Sequence, residues 1–146
     1  MQVKQLQEER ERTFALVFET GEEVVSGLTE FAAKHGLDAA SFTAIGAFGA
    51  ATLGYFDMEE KEYERIPVHE QVEVLSLVGN IARDQDGEPK VHAHVVLGRS
   101  DGTTRGGHLL EGRVRPTLEV VLTETPEHLR RKTDEETGLP LISIDE

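Results

Sequence analysis

The alternation of apolar and polar residues changes period only a few times along this chain, and each change marks an element. Residues 12–20 carry Phe14, Leu16 and Phe18 at every second position up to Gly21, which predicts a strand with one core face. From Glu22 to His35 the spacing becomes helical. Val24, Val25, Leu28, Phe31 and Ala32 form one stripe, acidic residues crowd the start, and Gly36 follows as a C-terminal cap. Residues 41–57 read as a strand or a pair of strands punctuated by Gly46, Gly49 and Gly54, and the charged run Glu59–Glu64 reads as exposed. Gln71–Ala82 is strand-like and apolar on both faces, as in a central strand or one buried between subunits.

Asp84-Gln85-Asp86-Gly87 is a turn, after which Val91, Ala93, Val95 and Leu97 alternate with His92 and His94. Leu109–Val114 returns, Pro116 interrupts, and Thr117–Thr123 supplies another strand. Pro126 is placed to open a short helix through Arg131. Many strands around one main helix predict an α+β fold: a single compact domain over residues 1–146, mostly antiparallel sheet, with 1–11 and 133–146 peripheral. A chain of 146 residues can bury a proper core.

The chemistry concentrates at residues 91–108. On a strand, His92 and His94 leave the same face, opposite Ala93 and Val95. Ser100-Asp101-Gly102 is a hairpin signal, and a reversal near Asp101 sets residue 108 opposite residue 94. Side chains facing each other across two strands have Cβ atoms about 4.5–5.5 Å apart, so His92, His94 and His108 can share one metal ion. A one-residue slip, or a bulge at Gly106-Gly107, sends His108 to the opposite face. Three neutral imidazoles without thiolate suit a divalent transition metal, zinc first, with nickel, copper or iron as alternatives, and leave a coordination position open. The competing reading is a polar sheet surface whose histidines only hydrogen-bond.

Composition narrows the function classes. The 28 acidic residues outnumber the 15 basic ones, for a net charge of −13, so the average surface repels phosphate and direct DNA binding is not expected. There is no cysteine, hence no disulfide and no thiolate metal site. The N-terminus lacks the apolar core of a signal peptide, and the apolar stretch 42–56 is too short and glycine-rich to span a bilayer, which predicts a cytoplasmic protein without membrane attachment.

Among other titratable groups, Glu73 is expected to be partly buried between apolar neighbours and to pair with Arg113 or Arg115 rather than serve as a base. His35, at a helix end, and His128, in a charged segment, read as ordinary surface residues. His69 and Glu111 join Glu73 as bases for a metal enzyme only if the fold brings them to the histidines. A cupin-like fold also uses His-x-His, but Val95–Arg99 lacks the glutamate that its pattern wants soon after the pair.

From Thr13 to Leu141 the chain resembles the plant-and-prokaryote-conserved (PPC) domain family. The resemblance rests on Gly21-Glu22-Glu23, Ile45-Gly46-Ala47, Glu73–Gly79, His92-Ala93-His94, Gly106-Gly107-His108-Leu109 and Thr117–Val120, in that order. It implies an α+β domain that assembles as a homotrimer, found alone in bacteria and archaea and fused behind AT-hooks in plant nuclear proteins. Prokaryotic relatives carry a DNA-binding label through that association. This chain has only Gly112-Arg113-Val114-Arg115-Pro116 where an AT-hook needs Arg-Gly-Arg-Pro among basic residues, and Glu70-Gln71-Val72 precedes Glu73-Val74-Leu75 where the plant proteins read Gly-Arg-Phe-Glu-Ile-Leu. The histidine pattern is complete at His92, His94 and His108, the set that resembles the one proposed to bind metal in stand-alone members. The expected function is a metal-binding interaction or regulatory module whose partner is itself, another protein or a small molecule. The alternative is a metal-dependent enzyme acting on a small molecule through the open position.

Overall fold

The structure, a computed structural model, describes residues 1–7, 11–125 and 129–144. Nine strands and one helix make up the described residues: β1 (Gln2–Gln7), β2 (Thr13–Glu19), α1 (Val24–Lys34), β3 (Ala39–Asp57), β4 (Glu62–Val68), β5 (Val72–Arg83), β6 (Pro89–Gly98), β7 (Thr104–Glu124), β8 (Arg130–Thr133) and β9 (Pro140–Ser143). Antiparallel pairing prevails, and only β5 and β8 run parallel. β5 and β7 both pair with β3, and β6 pairs with β5 and β7, so these four strands close a ring. Closure removes the exposed strand edges that an open sheet leaves. The ring encloses Phe42, Phe48, Leu53, Leu77, Val95 and Leu97, and this core is continuous with the buried residues of β2 and α1.

Local sequence accounts for the elements. Phe14, Leu16 and Phe18 point inward from β2 and meet Val24, Leu28 and Phe31 of α1. The acidic residues stand before the first turn rather than in it: Glu23 is the N-cap, its carboxylate accepting from Val25 N at 3.0 Å and Ser26 N at 2.9 Å. The same carboxylate accepts from Gly112 N at 3.0 Å, tying the helix start to β7.

The structure resolves one open alternative, adds a strand beside an exposed run, and changes two expectations. β3 is one strand, bent by a register shift at Gly46, where φ is +155° and a Cβ would lie 2.2 Å from Thr117 O. β7 passes through Pro116 without a break, because neighbouring Thr117 and Leu118 hold the ladder with β2. The charged Glu59–Glu64 run is exposed as expected, except for half-buried Tyr63, and forms a turn followed by the start of β4, which pairs with the far half of β3. Tertiary pairing overrides local polarity there. In the 126–131 segment, Arg130 and Arg131 belong to strand β8 rather than a helix, while Pro126 to His128 lie outside the described residues.

Candidate metal centre

The β6–β7 hairpin holds the register on which the third histidine depends. Its turn closes with Gly102 N donating to Arg99 O at 2.9 Å and Arg99 N donating to Thr103 O at 2.8 Å. From there the ladder runs unshifted from Gly98↔Thr104 to His94↔His108. No bulge forms at Gly106-Gly107 in this pairing. Two glycines make room for the site: a Cβ on Gly107 would lie 2.9 Å from Gly54 O, and one on Gly79 would lie 2.4 Å from His92 O. β3 and β5 can thus approach the histidine strands from both sides.

His92, His94 and His108 converge, each offering a ring nitrogen, with these nitrogens within 4.8 Å of one another. His92 Nε2 lies 3.2 Å from His94 Nε2, and His108 is 5.2 Å and 5.7 Å, centroid to centroid, from His92 and His94. Tyr63 of β4 stacks on the His108 ring at 4.6 Å and 29°. Burial, then the neighbouring His92 and His94, push the His108 imidazole down to about 4. Burial, the Arg131 cation and His94 lower His92 as well. Both rings are therefore neutral at pH 7, the state in which imidazole ligates metal. His108 Nδ1 is a buried nitrogen with no hydrogen-bond partner. An orphaned nitrogen in a cluster of imidazoles, with no carboxylate or thiolate in the group, fits a borderline divalent ion of the zinc type.

A cavity of about 570 Å³ opens against the three rings, with Tyr55, Phe56, Tyr63, Val78, Val96 and Leu139 among its walls. The other sequence candidates stand elsewhere. Glu73 is exposed rather than partly buried, because its side of β5 faces outward, and its suggested partner Arg113 pairs with Glu111 at 3.3 Å. Glu73, His69 and Glu111 are not among the cavity's lining residues. His35 is half-buried, not an open surface residue: its ring stacks on Phe31 at 4.0 Å and its Nδ1 lies 3.0 Å from Phe31 O.

Sequence reasoning missed Tyr63, Asn80 and Arg131. Tyr63 sits in a charged run that reads only as exposed. Asn80 lies directly across from His92 on β5, and its Oδ1 accepts from Arg131 Nη2. Alternation could have set Tyr63 on one face of a strand, whereas nothing local marks Arg131, which reaches the site through the pairing of β8 with β5.

Related proteins share this fold. The family model of the Plants and Prokaryotes Conserved (PCC) domain matches residues 5–126. A plant- and prokaryote-conserved protein of Pyrococcus horikoshii is 39% identical, with 92% of this chain and 93% of that one covered at a TM-score of 0.85. A metal-containing protein of Archaeoglobus fulgidus is 40% identical, covering 90% of this chain and 92% of the other at a TM-score of 0.81. A protein of Ralstonia eutropha JMP134, described as a candidate DNA-binding protein, is 28% identical, covering 90% and 91% at a TM-score of 0.84. The bifunctional protein GlmU of Synechococcus sp. (strain JA-3-3Ab) is 30% identical over 92% of this chain, which spans only 21% of that relative. With its ring of strands, one helix among the described residues and a family match over residues 5–126, this chain belongs to the Plants and Prokaryotes Conserved domain family.

Proposed function

We propose that the protein is a homotrimeric metal-binding module in which His92, His94 and His108 hold one divalent transition metal, zinc, as a structural or sensory centre for interaction or regulation. The observation that carries it is the convergence of three imidazole ring nitrogens within 4.8 Å of one another. The metal-containing relative from Archaeoglobus fulgidus supports the reading. Elemental analysis of purified protein tests it: the expected result is one metal per chain, lost in the His92→Ala, His94→Ala double variant. Stoichiometric metal retained by that variant refutes the assignment.

The trimer is supported by the outer sheet face. Val121, Thr43, Val78, His94 and His108 are successive cross-strand partners, so one row leads from apolar residues into the histidines. Along it Val121 and Val78 are 51% and 49% exposed, and nearby Ile45 and Leu75 are 60% and 52% exposed, a patch that a monomer seldom leaves open. Light scattering at micromolar concentration should give the mass of three chains; the mass of one overturns the reading. No helix among the described residues is long and apolar enough to cross a membrane, and a cytoplasmic location fits the cysteine-free composition. A second reading, a metal-dependent enzyme, is favoured by the cavity against the rings. There the bound metal would polarise a carbonyl or activate water, with the three histidines as its ligands.

A further inference from the structure

The residues lining the histidine cavity include no acidic side chain, although acidic residues outnumber basic ones 28 to 15 in the chain. Its walls are mainly aromatic and aliphatic, and its volume of about 570 Å³ suits a small organic molecule. Beside it stands an unbalanced cation. Arg131 is only 4% exposed; Nη2 donates to Asn80 Oδ1, Nη1 donates to Pro140 O at 3.0 Å, and Nε is buried without an acceptor. Among the described residues no carboxylate forms an ion pair with it. Asn80, which anchors this guanidinium, is the cross-strand partner of His92, so the positive charge is held next to the histidine cluster. A buried cation without a counter-ion is unfavourable. A divalent ion on the three rings would add more positive charge at the same place.

We propose that the open position of this centre binds a small carboxylate, its oxygens on the metal, its hydrocarbon body along Tyr55, Phe56, Val78, Val96 and Leu139, and its charge balanced by Arg131. The inference rests on the metal reading above. Phosphate fits less well, because it needs several donors and the lining side chains offer only hydroxyls and imidazoles. Arg131 lies beside the cavity rather than in its wall, and is a positioning residue: it sets the sign of the charge the site accepts.

Cobalt(II)-substituted protein, with its metal content measured first, provides the test. Butyrate should shift the visible d–d bands saturably, and neutral butyramide should not. Butyrate should bind about tenfold more tightly than acetate, from burial of its two extra methylenes. Arg131→Met should weaken butyrate about tenfold and Arg131→Lys should recover part of the loss, with the cobalt spectrum of the ligand-free variants unchanged. The butyrate and butyramide comparison in the unaltered protein stands even if the Arg131 variants fold poorly. Bands unmoved by butyrate, equal response to butyramide, or unchanged affinity in folded Arg131→Met would each overturn the proposal while leaving the metal reading intact. Failure to bind cobalt would overturn both.

Discussion

His94 and His108 are direct cross-strand partners, although the whole Arg99–Thr103 turn separates them in sequence. The pairing makes the proposed metal site a property of the folded chain: in the unfolded chain His108 is not held near the His92–His94 pair. A ligand that binds only the folded form stabilises it, by about 4 kcal/mol when its concentration is a thousand times its dissociation constant. Adding zinc to metal-stripped protein should therefore raise Tm by several degrees, and His108→Ala should abolish most of that rise. An equal rise in the variant, followed by differential scanning calorimetry, would place the metal elsewhere.

Gly79 controls how closely β5 lies beneath the histidine strand. A Cβ there would sit 2.4 Å from His92 O, 2.6 Å from Phe42 Cζ and 3.0 Å from Ala93 Cα, and two of those three atoms belong to backbone that cannot rotate away. Gly79→Ala should destabilise the fold by about 1–3 kcal/mol, the usual range for overpacking, and weaken metal binding by displacing His92. Urea denaturation and a metal titration check the two effects separately.

Arg12 and Glu124 form a paired contact that ties the start of β2 to the end of β7. Arg12 Nε donates to Oε2 and Nη2 to Oε1, both at 2.9 Å, and Nη2 also reaches His35 O at 3.0 Å. The side-chain bonds from Arg12 hold the Glu124 carboxyl below its ordinary range, against opposing burial. A depressed carboxyl contributes stability that is complete above its unfolded value and disappears as pH falls through its folded value. Glu124→Gln should thus lower stability at pH 7 by about 0.5–1 kcal/mol, with the difference from the unaltered protein shrinking as acid protonates the lowered Glu124 carboxyl and vanishing once it is fully protonated. A difference that instead grew on acidification would contradict the assignment.

The sequence makes the three histidines of the candidate site legible because strand period and turn chemistry are local rules. They predict that His92 and His94 share a face and that Ser100-Asp101-Gly102 reverses the chain, and the unshifted ladder matches. The surroundings of the rings are another matter. Tyr63 reaches His108 because β4 pairs with β3, and Arg131 reaches Asn80 because β8 joins β5 in parallel; both depend on contacts between distant segments. Glu73 was misjudged for a related reason. Apolar residues on both faces of β5 suggested burial on both sides, but Leu75 and Val78 lie on the outward face of a single chain, and Glu73 is exposed with them.

The description of a relative as a candidate DNA-binding protein raises a question that charge geometry can answer for this chain. Phosphate binding needs a cluster of free cations, and the best group by sequence is Arg99, Arg105, Arg113 and Arg115 around the β6–β7 hairpin and the strand leaving it. Two of the four are engaged: Arg99 Nε pairs with Glu70 at 2.6 Å and Arg113 Nε with Glu111 at 3.3 Å. Arg105 and Arg115 remain exposed, in a chain of net charge −13. Two exposed arginines release too few counter-ions to overcome that field. Fluorescence anisotropy with duplex DNA across a salt series should accordingly detect no submicromolar binding at physiological salt. Glu70→Gln with Glu111→Gln, which frees both engaged arginines, should strengthen whatever weak association appears at low salt and steepen its salt dependence. Tight, steeply salt-dependent binding by the unaltered protein would mean that a positive surface forms by another route, through assembly of several copies.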